Sequence, residues 1–203
     1  MRNSIFLVGH VALLQAMGYV DGNFEPDFKR AAASGVKFTN GMEYLRLNIT
    51  NKGGIVDLLT ANTQQVDGEC TFNGNILEDA RNLALEKIRL GYAKSAKAGG
   101  ETDPTLLKYS NLYDDVPAVL ANADLVIAQD GKDILTIPVR HLLVGSKSEQ
   151  VSGAVDAFES GVIKVLRSKS KINVQLRFPK GASIGNVDNH FIELHFIGAA
   201  TTR

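Results

Sequence analysis

The sequence predicts a mainly β fold: an antiparallel sandwich with an N-terminal arm and at least one inserted amphipathic helix. Three stretches carry that expectation. In KINVQLRFPKG, residues 171–181, the apolar Ile172, Val174, Leu176 and Phe178 alternate with Asn173, Gln175 and Arg177. In NHFIELHFIG, Ile192, Leu194 and Phe196 face one way and Glu193 and His195 the other. In DLVIAQDGKDILTIPV, Asp130-Gly131 stands between two apolar runs. Successive side chains on a strand point to opposite faces, so strict alternation marks a sheet with one packed side and one wet side. Asp-Gly supplies the positive φ angles of a tight primed turn and makes the third stretch a hairpin. Two such sheets stacked face to face form a sandwich.

The whole chain sets the frame. Its 203 residues suit a single structural domain over 1–203, with residues 1–35 as an arm or helical segment and 36–203 as the sandwich. Hydrophobic content of 44% is enough for a packed core without staples. Lys plus Arg and Asp plus Glu both number 22, so no long-range field attracts nucleic acid or an acidic membrane, and no specific nucleic-acid contact is expected. Cys70 is the only cysteine, which rules out an intrachain disulfide and a Cys-rich zinc site.

Taken in order, the first element is SIFLVGHVALLQAMGYV. Ile5, Phe6, Leu7, Val8, Val11, Leu13 and Leu14 form its apolar surface. Gly9, His10 and Gln15 interrupt it too early for a membrane span. It reads as a packed arm, a partner- or membrane-facing arm, or a signal-like segment. Pro26 then suits an early helical position, with Asp27 to Ser34 as a short helix closed by Gly35. EYLRLNIT alternates as a half-buried strand, NKGG turns, and GIVDLLTA is readable as strand or helical turn. The helix is expected over about 76–97. Asn75 is its N-cap and Glu78 completes a capping box, while Leu77, Ala80, Ala84 and Ile88 recur at helical spacing, widened by Leu83 and Leu90. Glu78 and Asp79 suit its positive end, Lys94 and Lys97 its negative end, and Gly99-Gly100 stops it. Residues 101–122 read as a long excursion of loops and short turns. Pro138 lacks an amide hydrogen and belongs at a strand end or edge.

Catalytic signatures are missing. The chain has no GxxxxGK[ST] phosphate loop, no GxGxxG, no GxSxG and no HExxH. His190 and His195 are five apart, an odd spacing that puts them on opposite faces of one strand. Asp114-Asp115 and Glu78-Asp79 are adjacent carboxylates that diverge on any regular element. Cys70 reads as a buried apolar residue rather than a nucleophile. Asn48 heads a glycosylation sequon, and LRSKSK, residues 166–171, is a small basic cluster suited to guarding a sheet edge. No catalytic, cofactor-binding or metal-ligating residue is expected.

The C-terminal two fifths of the chain resembles a known family. DLVIAQDGKDILTIPVRHLL, then AFESGVIKVLRSKSKINVQLRFPKG, then NHFIELHFIGAATTR follow the strand grammar of jelly-roll capsid proteins of tailless icosahedral, internal-membrane bacteriophages. Phe158, Ile172 to Phe178, and Ile192 to Gly198 stand at the corresponding places. The resemblance implies a single jelly-roll-type sandwich that builds an icosahedral capsid as facet tile or vertex penton. It implies no enzyme activity and no cofactor. The partners it implies are copies of the chain in a pentamer or hexamer, other capsid proteins and the viral membrane. It places the protein in the virion after synthesis in the host cytoplasm, with the seven apolar residues of the N-terminal run as an interface arm. The same strand grammar also fits a ligand- or carbohydrate-binding module such as a fibre or adhesin domain and, less well, a cupin-like enzyme.

Overall fold

The alternating segments assemble into eight strands among the described residues: β1 Lys37–Asn48, β2 Ile55–Asp57, β3 Leu83–Ala96, β4 Asp124–Gln129, β5 Lys132–Pro138, β6 Phe158–Leu166, β7 Ile172–Arg177 and β8 Asp188–Thr202. The structure, a computed structural model, describes residues 37–78, 81–145 and 157–202. The expected interface arm, Ile5 to Leu14, and the helix expected at Asp27 to Ser34 lie outside these residues.

The strands form two four-stranded sheets, ordered β1-β8-β3-β6 and β2-β7-β4-β5. Every neighbouring pair is antiparallel. The first strand pairs with the last, the second with the seventh, the third with the sixth and the fourth with the fifth. The sheets pack as a sandwich around one core, to which Leu45, Leu90, Leu194 and Phe196 come from the first sheet and Leu125, Ile127, Val174 and Leu176 from the second. Burial of each such side chain contributes on the order of 1.5–3 kcal/mol.

The hairpin forms where Asp-Gly predicts it. Asp130 has φ 51° and Gly131 φ 78°, both in the left-handed region that a type I′ turn requires. Pro138 is the last residue of β5, where its missing amide hydrogen breaks no ladder. β7 alternates buried and half-buried residues along its whole length, and β8 turns Ile192, Leu194 and Phe196 into the core.

The helix expected over 76–97 is instead largely β3. The reason is a β-bulge. Leu85 pairs with Gly198 and Lys87 with Ile197, which leaves Glu86 as an extra residue. The bulge shifts the phase of the inward positions from Leu83 and Leu85 to Ile88, Leu90 and Tyr92. That spacing mimics a helical stripe. Burial of Ala84, Gly91 and Ala93 on the opposite face then removes the polar half of the alternation. The helical elements among the described residues are short: α1, Ala118–Ala121, and 3-10 turns at Tyr113–Asp115 and Val139–Leu142. No inserted amphipathic helix occurs among them.

The excursion after β3 is a strap of loops and turns, as its composition predicts. Ser110 exchanges backbone hydrogen bonds of 2.7 and 2.9 Å with Tyr92, beyond the point where β6 stops pairing with β3. Asn111 and Tyr113 bond similarly to Val144.

Candidate functional site

Two polar clusters stand on the outer faces of the sheets. The first is built on adjacent strands. Arg46 of β1 lies opposite Glu193 of β8, and Tyr44 opposite His195. Arg46 Nε donates to Glu193 Oε1 at 2.7 Å and Nη2 approaches the same oxygen at 2.6 Å. Arg46 Nη1 donates to the Gly68 carbonyl. The guanidinium lies 5.5 Å from the centre of the Tyr44 ring and 5.6 Å from that of Tyr109, so the strap's tyrosine and the strand's tyrosine hold it between them. Gly91 is why Tyr109 can lie so close, since a Cβ at that position would come within 2.9 Å of the Tyr109 Cβ. His195 Nε2 is 3.1 Å from Glu193 Oε1.

Burial pushes the Glu193 carboxyl up, but contacts with His195 and Arg46 outweigh it and hold the group below the usual carboxylate range. Burial also dominates at Tyr109, pushed up to about 12 despite the nearby Arg46 charge. The cluster is a neutralised, internally bonded network. It pins the strap to the sheet.

The second cluster spans the other sheet. Gln175 Nε2 donates to Asp57 Oδ1 at 2.7 Å. Gln175 Oε1 accepts from Arg177 Nη2 at 3.0 Å, and Arg177 Nη1 donates to Asp133 Oδ2 at 3.1 Å. A continuous ribbon therefore crosses from β2 through β7 to β5, over the outer face of β4, where Gln175 stands opposite Val126 and Arg177 opposite Asp124. It lines a shallow groove with Thr60, Asn75, Lys171 and Asn173. Two carboxylates face two basic groups, so the groove is electrically balanced and rich in both donors and acceptors. Asn173 Oδ1 is buried there without a hydrogen-bond partner.

The remaining residues singled out by sequence separate. His190 and His195 face opposite ways, as their spacing predicts. The buried Tyr92 hydroxyl sits 2.6 Å from His190 Nδ1, while His195 meets Glu193. Burial lowers the His190 pKa and pushes Tyr92 up to about 12. Cys70 is buried, and burial pushes its thiol up, away from the nucleophilic thiolate. Asp114 and Asp115 lie in a 3-10 turn, where Asp115 accepts from Ser110 Oγ. Asp79 lies outside the described residues. Asn48 Oδ1 caps the following turn by accepting from the Thr50 amide at 2.8 Å. In LRSKSK, Leu166 ends β6 and residues 167–171 form the link to β7, with Lys169 at φ 60°.

Among the described residues, no three or more His, Cys, Asp and Glu side chains come together as metal ligands. No helix there is long and apolar enough to cross a membrane. Neither a protein-family model nor a curated protein matches the chain.

Proposed function

We propose that this chain is a structural shell protein of the jelly-roll capsid type, which associates symmetrically with copies of itself into a closed icosahedral shell as facet tile or vertex penton. The observation that carries the reading is the nested pairing of strands 1·8, 2·7, 3·6 and 4·5, with alternate pairs in alternate sheets. That order results when one long antiparallel hairpin is rolled on itself, the double Greek key of jelly rolls. It supports the reading more strongly than the strand patterns alone. It includes β1 to β3, which the resemblance to capsid proteins did not cover.

In this reading the sandwich is a rigid block with no catalytic residues and no cofactor. Its side walls and loops meet neighbours in a pentamer or hexamer, and the strap pinned by Arg46 keeps one wall in shape. Other capsid proteins and the viral membrane are the further partners, and the virion is the location. Ile5, Phe6, Leu7, Val8, Val11, Leu13 and Leu14 form the arm that reaches an adjacent copy. At about 1.5–3 kcal/mol per large apolar side chain, a few of them at one contact decide whether subunits associate.

Deleting residues 1–20 tests the arm. The expected product keeps the β signature of the full chain in circular dichroism and loses assembly entirely in sedimentation. An unfolded product would make the run part of the core. A product that assembles normally would move the contacts elsewhere.

The groove over Asp57, Asn173, Gln175 and Arg177 favours a second reading, a binding module for a neutral, hydroxyl-rich ligand such as a carbohydrate. Balanced charge, planar amides and the unpartnered Asn173 carbonyl oxygen support it. It requires chemical-shift changes confined to the groove when neutral oligosaccharides are titrated into isotope-labelled protein.

A further inference from the structure

We propose that Glu86 is a proton-controlled latch on the outer strand of the first sheet: protonated, it lets β6 stay paired to β3, and ionised, it drives that strand away. The inference stands independently of the shell reading.

Glu86 is the extra residue of the β3 bulge and is only 5% exposed. Its Oε1 is buried with no hydrogen-bond partner among the described residues. A buried carboxylate without a partner is costly when charged and tolerable when neutral. The charged groups around it do not remedy this. On its own strand, Lys87 is engaged at 2.6 Å by Glu159 of β6. Glu159 adds negative charge of its own, and Lys164 of β6 stands opposite Leu85 instead. From β8, the residues at this level are Ile197 and Gly198, which carry no charge.

The bulge also lies at the weakest seam of the sheet. Among the described residues β6 is the outermost strand of its sheet and pairs with β3 alone. Its pairing runs from Leu83 to Leu85, breaks at Glu86, and resumes only at Lys87 and Ile88. One residue of β3 there stands against four of β6. On the other side, thirteen pairs join β3 to β8. A charge forced into the bulge therefore acts on a short, already interrupted ladder.

The direction follows from linkage. Burial raises the Glu86 carboxyl above its ordinary value, with Lys87 opposing and Glu159 reinforcing the rise. The stability of this seam is therefore complete below the unfolded value of about 4.3. It is lost as pH rises through the higher folded value.

Hydrogen exchange on the full chain tests the latch, with protection factors corrected for the intrinsic pH dependence of exchange. From about pH 4, below the unfolded value, up to about pH 7.5, protection over residues 158–166 is expected to fall at least tenfold, while residues 124–129 keep theirs. In Glu86→Gln the fall should vanish. In Glu159→Gln its midpoint should move to lower pH, because a neighbouring negative charge has gone. Protection of β6 that is flat with pH in the unsubstituted protein would overturn the proposal. So would the same fall in Glu86→Gln. If that variant does not fold, the pH profile of the unsubstituted chain and the Glu159→Gln midpoint decide.

Discussion

Gly198→Ala is expected to destabilise the fold by about 3 kcal/mol, the upper end of overpacking penalties. For a chain of this size that lowers Tm by roughly 6–12 °C. A Cβ at position 198 would stand 1.8 Å from the Ala84 carbonyl oxygen and 2.9 Å from its carbon. These are backbone atoms of the neighbouring strand, which cannot swing aside as a side-chain tip can. The close approach falls at the bulge, where Leu85 pairs with Gly198 and Lys87 with Ile197. Making room means moving β8, which is paired along its length to β1 on one side and β3 on the other. Gly161→Ala is the matched control. Among the described residues its added methyl meets nothing within 4 Å, so its effect should stay within about 0.5 kcal/mol. Calorimetry of the two variants checks the contrast, and equal Tm values would contradict the packing described for the bulge.

Arg46→Ala is expected to cost about 3 kcal/mol at neutral pH, the range for removing one partner of a buried ion pair. The Glu193 side chain is 9% exposed and, among the described residues, would keep His195 as its remaining ion-pair partner. The Gly68 carbonyl would lose its donor, and Tyr44 and Tyr109 would lose the cation between them. The effect should depend on pH in a fixed direction. Glu193 is held below the ordinary carboxylate range, so its contribution is present above the unfolded carboxylate value and is lost as pH falls through the folded one. The gap in Tm between the unsubstituted chain and Arg46→Ala should therefore narrow on acidification. A gap of constant size from neutral to acid pH would show that the stabilisation does not come from this pair. Arg46→Lys should recover only part of the loss, since an ammonium keeps the charge but neither the fork nor the flat stacking surface.

The strands with one wet face were legible from sequence alone. Asn173, Gln175 and Arg177 announced the outer face of β7, and Asp130-Gly131 announced its neighbouring hairpin. Segment 83–96 was not legible. A single inserted residue, Glu86, moved its inward positions out of phase, and close neighbours buried both of its faces. The Arg46–Glu193 pair joins residues 147 apart in sequence. Each occupies an ordinary polar position on an alternating strand, and nothing local marks them as partners. The groove was half legible, for its β7 residues appear as a polar face while Asp57 and Asp133 arrive from other strands. The arm of residues 1–35 lies outside the described residues, so its part in the account rests on its apolar pattern.

The mass distribution of the purified full-length protein tests the central claim most directly. Sedimentation velocity across a concentration series, with negative-stain electron microscopy of the same fractions, provides it. Pentameric or hexameric rings, or closed shells built from them, are expected to grow at the expense of monomer as concentration rises. A protein that stays monomeric to high micromolar concentration, with no rings or shells on the grid, would contradict it.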